Sequence, residues 1–233
     1  MAPGHRRDNM SNPSKPLVVH IEGNIMSGVS SVIQGLSARQ LPEYNFKIVP
    51  TPVNNIVHTR IGDLCWAEHR ETVRGISACV LEMSSYFKQR AHMEINPKTD
   101  VIIMDRSLAS IRHVFHSIPD LMILRDVVDA FALHDLYESM EEHLLRPDMI
   151  IFIEASMQEL GNRIRLTGED HIAPETLVRI DKLYNKYLRA SEAGNDAPTV
   201  VRITNMENTL AATIYRAHVA INELYYLNKI SKY

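Results

Sequence analysis

Residues 23–30 have the spacing of a loop that binds phosphate, except at one position. The pattern requires Gly, four free positions, Gly, Lys, and then Ser or Thr, and the chain departs from it at Val29, which stands at the lysine position. That lysine normally neutralises the outer phosphates of a nucleotide, while backbone N–H groups of the loop bind the inner ones. The sequence predicts the shape of a nucleotide site without its main cation. The candidate phosphate-binding residues are Gly23, Ser27, Gly28 and Ser30.

Short apolar runs alternate along the chain with stretches of helical periodicity. Continuous apolar runs are typical of buried parallel strands, and five of them lie at 17–21, 46–49, 101–104, 149–153 and 199–203. Apolar residues that recur every three or four positions indicate helices at 30–39, 71–93, 108–115, 121–145, 157–166, 174–190 and 209–227. The alternation predicts a P-loop NTPase-like three-layer α/β sandwich, in which a five-stranded parallel sheet has helices on both faces.

Composition indicates one ordinary folded domain and excludes several classes of protein. The chain has 233 residues, 45% of them hydrophobic and 23% charged, which suits a single domain over 16–233. A formal net charge of −3 argues against a nucleic-acid binder, because phosphate contacts need a basic surface. The histidines lack the spacing of zinc ligands. We expect Cys65 and Cys79 to be reduced thiols rather than a disulfide.

The N-terminal residues 1–15 include Arg6, Arg7 and Lys15 but no apolar stretch. We expect a flexible tail, or alternatively a small basic contact arm, and not a secretory signal. No apolar run approaches the ~20 residues that a membrane span requires. These features predict an intracellular protein without a membrane span, in the cytoplasm, an organelle or a virion.

Five short fragments occur in order within residues 17–188. They are I-E-G-N-I at 21–25, V-P-T-P-V at 49–53, D-R-S-L-A-S-I-R at 105–112, R-P-D at 146–148 and N-R-I at 162–164. Together they resemble the deoxynucleoside kinase family, which includes the deoxycytidine, deoxyguanosine and mitochondrial thymidine kinases. The family's fragments read I-E-G-N-I, V-P-E-P-V, E-R-S-x-x-S-x-R and L-x-P-D, followed by an arginine-rich lid. The resemblance implies transfer of the ATP γ-phosphoryl group, with Mg²⁺, to the 5′-hydroxyl of a deoxynucleoside.

The resemblance also assigns roles to charged residues. Asp105 corresponds to the acid that helps to hold Mg²⁺, and Arg106 to an arginine that reaches phosphate. An ion pair between these two residues, or a helix cap formed by Asp105, is the alternative. The further candidate nucleotide-binding residues are Arg112, Arg163 and Arg165. Loss of the lysine weakens phosphate binding unless Arg106, Arg112 or Arg163 replaces it.

Other positions depart from the family's pattern. Thr51 stands where the family has its general base, and a hydroxyl does not accept the 5′-hydroxyl proton as a carboxylate does. Partial replacement by Glu22 or Asp105 is the alternative. Met26 takes the place of a small residue, either through drift or as a plug of the phosphate site. Cys79 stands at the position of the base-reading Gln, and Ile111 stands at a base-discriminating position. Thr167 and Glu169 take the place of lid arginines, and the charge of Asp170 would repel ATP phosphates. Trp66 is either a core residue or a base-stacking residue.

We therefore expect a degenerate, catalytically silent relative of these kinases that serves as a structural or accessory subunit. It would act through protein contacts in a homodimer or a larger assembly, such as an organellar complex or a viral particle. The predicted helices 71–93 and 121–145 are the expected contact faces, since both are rich in apolar residues, and burial of these residues in the core is the alternative. No metal or cofactor is expected. The alternative is a divergent, thymidine-type deoxynucleoside kinase using ATP and Mg²⁺, and a third hypothesis is regulatory nucleotide binding without transfer.

Overall fold

The computed structural model describes residues 15–39, 44–49, 99–114, 146–168, 172–206 and 209–231. Within them, five parallel strands form one sheet in the order β2-β3-β1-β4-β5. The strands are β1 (Leu17–Gly23), β2 (Phe46–Val49), β3 (Val101–Asp105), β4 (Met149–Glu154) and β5 (Thr199–Thr204). The predicted five-stranded parallel sheet and its α/β class are confirmed. Strands β1 and β3 are buried along their whole length, as continuous apolar runs require in a sheet covered on both faces.

The described helices begin and end close to the predicted positions. They are α1 (Val29–Ala38), α2 (Leu108–His113), α3 (Met157–Thr167), α4 (Pro174–Ser191) and α5 (Leu210–Ile230). Helix α2 is capped by Ser107, whose side chain accepts a hydrogen bond from the Ser110 N–H. The N-cap residue of this helix is therefore Ser107, and a contribution of Asp105 to the cap stays a prediction. The predicted helices 71–93 and 121–145, and residues 1–14 of the predicted tail, lie outside the described residues.

Two apolar cores lie on opposite faces of the sheet. On one face, alternate residues of β1 pack against side chains of α1 and α5, such as Val32 and Ile221. On the other face, Ile150 and Phe152 of β4 pack against Tyr184 and other residues of α4. Helices thus cover both faces, which confirms the predicted three layers.

The parallel order brings the carboxyl ends of all five strands to one edge of the sheet. Strand β1 lies at the centre, and the chain turns from β1 directly into α1. In open α/β sheets, ligands bind at this edge, next to the point where the strand order reverses. Among the described residues, the segments that follow β1, β3, β4 and β5 are therefore placed to build a site.

Candidate functional site

The loop between β1 and α1 has the conformation that its glycines permit. Met26 and Gly28 both have left-handed backbone angles, with φ of 61° and 99°. A Cβ on Gly28 would lie 2.3 Å from Nδ2 of Asn205, and a Cβ on Gly23 would lie 2.7 Å from the carbonyl oxygen of Ile153. Both glycines of the motif are therefore required by close contacts as well as by spacing.

Four carbonyl oxygens of this loop accept hydrogen bonds from side chains outside it. Arg106 donates from Nη1 to Gly23 O (2.5 Å) and from Nη2 to Asn24 O (3.5 Å), Arg163 donates from Nη1 to Met26 O (2.9 Å), and Asn205 donates from Nδ2 to Ser27 O (2.7 Å). We call these four bonds the outer contacts of the loop. In a trans peptide the next N–H points away from the carbonyl. The outer contact to Ser27 O therefore turns the Gly28 N–H away from Asn205.

Three consecutive N–H groups, those of Gly28, Val29 and Ser30, begin helix α1. Hydrogen bonds between the described residues leave all three unused. A left-handed residue followed by right-handed helical residues forms a concave nest of N–H groups that binds anions. The helix dipole adds partial positive charge at the same place. The described geometry fits an inner phosphate of a nucleotide.

Val29 contributes no charge to this nest. Its side chain is 3% exposed and belongs to the apolar core between the sheet and helices α1 and α5. One of its methyl groups would lie 2.9 Å from a Cβ placed on Gly23. The position that carries the lysine in the phosphate-loop pattern is thus a packed apolar contact.

The arginines that were candidates to replace the lysine have other partners. Arg106 and Arg163 make three of the four outer contacts, and Arg163 is also bonded to Glu159 Oε1 (2.8 Å) and to Asn205 O (3.1 Å). Arg165 is exposed, and its guanidinium contacts Asn162 Oδ1 (2.5 Å) on its own helix. Arg112 lies on α2, but its side chain falls outside the described structure. Any contact of these arginines with phosphate stays a prediction.

Arg106 reaches the loop because of the turn that follows β3. Asp105 ends this strand beside Ile21 of β1 and is buried. Arg106 has a left-handed φ of 64°, and its backbone N–H donates to Ile21 O at 3.0 Å. A bulky residue with positive φ is strained, and such strain persists only where surrounding contacts maintain it.

A buried polar cluster supports the same turn. The carboxylate of Glu22 is fully buried, and it accepts hydrogen bonds from Ser107 N (2.8 Å), Ser110 Oγ (2.7 Å) and the Tyr184 hydroxyl (3.2 Å). That hydroxyl also accepts from Arg106 Nη1 at 2.6 Å. Burial raises the pKa of Glu22, against the hydrogen bond of Ser110 and the charge of Arg106, which lower it. Glu22 therefore has no open path to a substrate hydroxyl, which argues against the alternative that it replaces the general base.

A cavity of about 850 Å³ lies beside the loop, between α3 and the connection from β5 to α5. This volume is typical of small-molecule sites. The cavity is lined by polar residues, among them Ser30 and Arg163, and by exposed apolar side chains, among them Leu166 and Met206. Met26 lies on its wall and also packs against the apolar cluster of α3.

Several predicted site residues cannot be placed in this geometry. Thr51, Cys65, Trp66, Cys79, Glu169 and Asp170 lie outside the described residues, as does the side chain of Ile111. Thr167, in place of a lid arginine, is bonded through its hydroxyl to Arg163 O (3.0 Å) and Ile164 O (3.1 Å). Thr167 therefore contacts the last turn of its own helix.

Two residues at the site were missed in the sequence. Asn205 directly follows β5, and Tyr184 lies in the middle of α4. A polar residue at the carboxyl end of a parallel strand is a usable signal for Asn205. The apolar face of α4 offers no comparable signal for the hydroxyl of Tyr184.

Among the described residues, no cluster of three or more His, Cys, Asp or Glu side chains has the arrangement of a metal site. No helix in the part of the chain that the structure describes is long and apolar enough to cross a membrane.

Comparison with known proteins agrees with the fold and with the loop. The family model described as deoxynucleoside kinase matches residues 19–220. No curated protein gives a significant match to this sequence. The matched span contains the phosphate loop, the turn after β3 and the helix that carries Arg163. The chain therefore belongs to the deoxynucleoside kinase family.

Proposed function

We propose that this chain is a catalytically silent deoxynucleoside-kinase-like protein that serves as a structural or accessory subunit. The observation that carries the proposal is that the loop has no lysine and that two arginines beside it are bonded to its carbonyl oxygens. Val29 is buried in the core, while Arg106 and Arg163 are hydrogen-bonded to loop carbonyls. Phosphoryl transfer depends almost entirely on positioning and charge stabilisation. A loop that lacks the lysine, and beside which Arg106 and Arg163 are engaged in this way, is poorly suited to stabilise the transferring group.

The loss of the family's proton acceptor supports the same proposal. Thr51 stands at the position of the family's glutamate, and loss of a general base typically lowers a rate by roughly 10²–10⁴. Glu22, the carboxylate nearest to the loop in sequence, is buried beneath it and bonded to three donors.

Without catalysis, the role that we favour for the fold is interaction with other protein subunits. We propose a homodimer or a larger intracellular assembly, in the cytoplasm, an organelle or a viral particle, with segments 71–93 and 121–145 as contact faces. Light scattering on the purified chain, whose mass is 26.5 kDa, measures its mass in solution. A mass of twice that value is expected, and a monomer at all concentrations would contradict the homodimer.

The catalytic half of the proposal is tested by restoring the two missing groups. In the presence of ATP and Mg²⁺, the rate at which wild type phosphorylates any deoxynucleoside should not exceed the rate of the Asp105→Ala variant. The double variant Val29→Lys/Thr51→Glu should exceed wild type by roughly 10²-fold or more, because it regains both cation and base. The matched control is Val29→Met/Thr51→Glu, which adds a long side chain at residue 29 without charge. Turnover by wild type above the Asp105→Ala level would overturn catalytic silence.

A divergent thymidine-type kinase is the second candidate, and it is favoured by the intact loop and its cavity. If ATP binds there, the N–H groups that begin α1 would hold an inner phosphate, and the Ser30 hydroxyl would face Mg²⁺, as in the phosphate-loop pattern. Arg165, exposed on the cavity wall, is a candidate cation for the outer phosphates. Calorimetric titration with ATP and Mg²⁺, combined with the turnover assay, separates this candidate from regulatory binding without transfer.

A further inference from the structure

Helix α5 carries apolar side chains on two opposite sides. On the inner side, Ala217, Ile221 and Tyr225 belong to the core between the sheet and helices α1 and α5. The exposed side also carries large apolar side chains, which are Tyr215, Tyr226, Leu227 and Ile230. The outer side of a surface helix is normally polar, and a helix that is apolar all round is normally buried. The exposed side of α5 therefore has the composition of a contact face.

This exposed side has the seven-residue repeat of a seam between two helices. The row along its middle consists of Ala212, Val219 and Tyr226. Because seven residues make almost two full turns, these side chains lie one above another. Tyr215 and Asn222 lie on one flank of the row, and Arg216 and Glu223 lie on the other. We call the row and its two flanks the α5 seam. Its largest members, Tyr215 and Tyr226, are 58% and 44% exposed.

The two charges of the α5 seam are opposite in sign but cannot pair with each other. Arg216 and Glu223 are both exposed and seven residues apart, whereas ion pairs within a helix form at a spacing of three or four. Among the residues that the structure describes, neither side chain has a hydrogen bond or an ion pair. Both charges are therefore available to a partner that carries the opposite charges at the same spacing. A second copy of α5, running in the opposite direction, has that pattern.

We propose that α5 is an interface between two copies of this chain, in which the two helices run antiparallel across a two-fold axis near Ala220. Arg216 then lies opposite the partner subunit's Glu223, and Tyr215 lies opposite the partner subunit's Tyr226. Two-fold symmetry repeats each pair, so that two ion pairs flank two aromatic pairs. In a parallel pair of helices, the charged flank would face the flank of Tyr215 and Asn222, where neither charge meets its opposite.

This contact rests on the self-association proposed above, and not on catalytic silence. It adds a face to the segments 71–93 and 121–145. A single helix face is small for a protein interface, so the dissociation constant should lie in the micromolar range. Exposed ion pairs add little to the strength of such a contact, but they determine which chains associate, because like charges repel each other.

Charge reversal on the full chain tests the pairing. Sedimentation at low ionic strength, where charge effects are largest, measures the dissociation constant over a range of concentrations. Arg216→Glu and Glu223→Arg each place like charges opposite each other at both pairs. The dissociation constant of each variant alone should therefore rise about tenfold or more.

Mixing the two variants separates pairing from a general loss of association. An equimolar mixture of Arg216→Glu and Glu223→Arg should regain the wild-type dissociation constant, because a mixed pair has opposite charges at both places. A mixture that associates no better than either variant alone would overturn the proposal.

Arg189→Glu is the matched control, because it reverses an exposed charge on α4, which packs on the opposite face of the sheet. This variant should keep the wild-type dissociation constant. Circular dichroism checks that every variant keeps the helical content of wild type.

The α5 contact and the homodimer proposed above fail in different ways. If wild type and both charge variants share a mass of twice 26.5 kDa at every concentration, the homodimer stands through another face and the α5 contact is wrong. If all three share a mass of 26.5 kDa, both proposals are wrong, and the exposed side of α5 is left to a different partner.

Discussion

Gly28 is the residue at which the loop, helix α1 and the last strand meet. Its φ of 99° suits glycine, and the missing side chain leaves room for the amide of Asn205. The spacing of the motif predicts a glycine here, but not the close neighbour that makes it necessary. Gly168, the C-cap of α3, has a similar φ of 72° but no described atom within 4 Å of the place its Cβ would take.

These two glycines form a matched pair at the residue scale. Gly168→Ala should lower the free energy of unfolding by about 1–2 kcal/mol, the cost of left-handed backbone in a residue with a Cβ. Gly28→Ala carries the same strain and also meets Asn205 Nδ2 at 2.3 Å, so its loss should be larger, about 3 kcal/mol or more. Urea unfolding of both variants measures the difference. Equal losses would show that the loop moves aside without cost.

At the scale of elements, Glu22 joins three parts of the fold. It lies on β1, and it accepts hydrogen bonds from Ser107 in the turn before α2, from Ser110 on α2 and from Tyr184 of α4. Arg106 adds a bond between the same hydroxyl and the loop. Because every member is bonded, this buried cluster stabilises one arrangement of β1, α2 and α4.

Removal of single groups from this cluster should be costly and non-additive. Tyr184→Phe and Glu22→Gln should each lower the free energy of unfolding by about 1–3 kcal/mol, because each leaves buried polar groups with fewer partners. The double variant should lose less than the sum, with a coupling of about 1 kcal/mol, since the two side chains share a hydrogen bond. Chemical unfolding of the four proteins gives the cycle. Strict additivity would contradict a shared cluster.

At the scale of the whole molecule, a histidine lies in the centre of the sheet. His20 is on β1 between Met104 of β3 and Ile150 of β4, and it is 5% exposed. Neither ring nitrogen has a hydrogen-bond partner among the described residues. Burial lowers the pKa of His20 from 6.5 to about 4, because the charged ring would lose its hydration.

This burial makes stability depend on pH with a definite sign. Between pH 6.5 and about 4 the unfolded chain binds a proton at His20 that the folded chain does not, so stability falls as pH falls through that window. The total loss is on the order of 3 kcal/mol. In His20→Leu this loss should be absent. Glu22, whose pKa is raised, makes stability rise as pH falls, but it does so equally in wild type and in His20→Leu. Urea unfolding of wild type and His20→Leu at pH 7 and pH 4.5 measures the loss of unfolding free energy. The same loss in both proteins would rule out His20 as its cause.

Local sequence signals were sufficient to predict the strands, the helices and the phosphate loop. Strands such as β1 and β4 follow from unbroken apolar runs, and Gly23, Gly28 and Val29 follow from fixed spacing, because these signals are local and reach only a few residues. The same local patterns led to the prediction of helices on both faces of a parallel sheet, which the structure confirms.

The contacts that hold the loop in place join distant parts of the chain and are visible in the folded structure alone. Asn205 and Ser27 are 178 residues apart in the chain, and Arg163 and Met26 are 137 apart. Local periodicity carries no information about which distant donor meets which carbonyl, since that depends on strand order and helix packing. The same holds for Glu22, which sequence alone offered as a replacement base and which packing encloses beneath the loop. The local signals describe a phosphate site, and the non-local contacts determine which of its charges remain available.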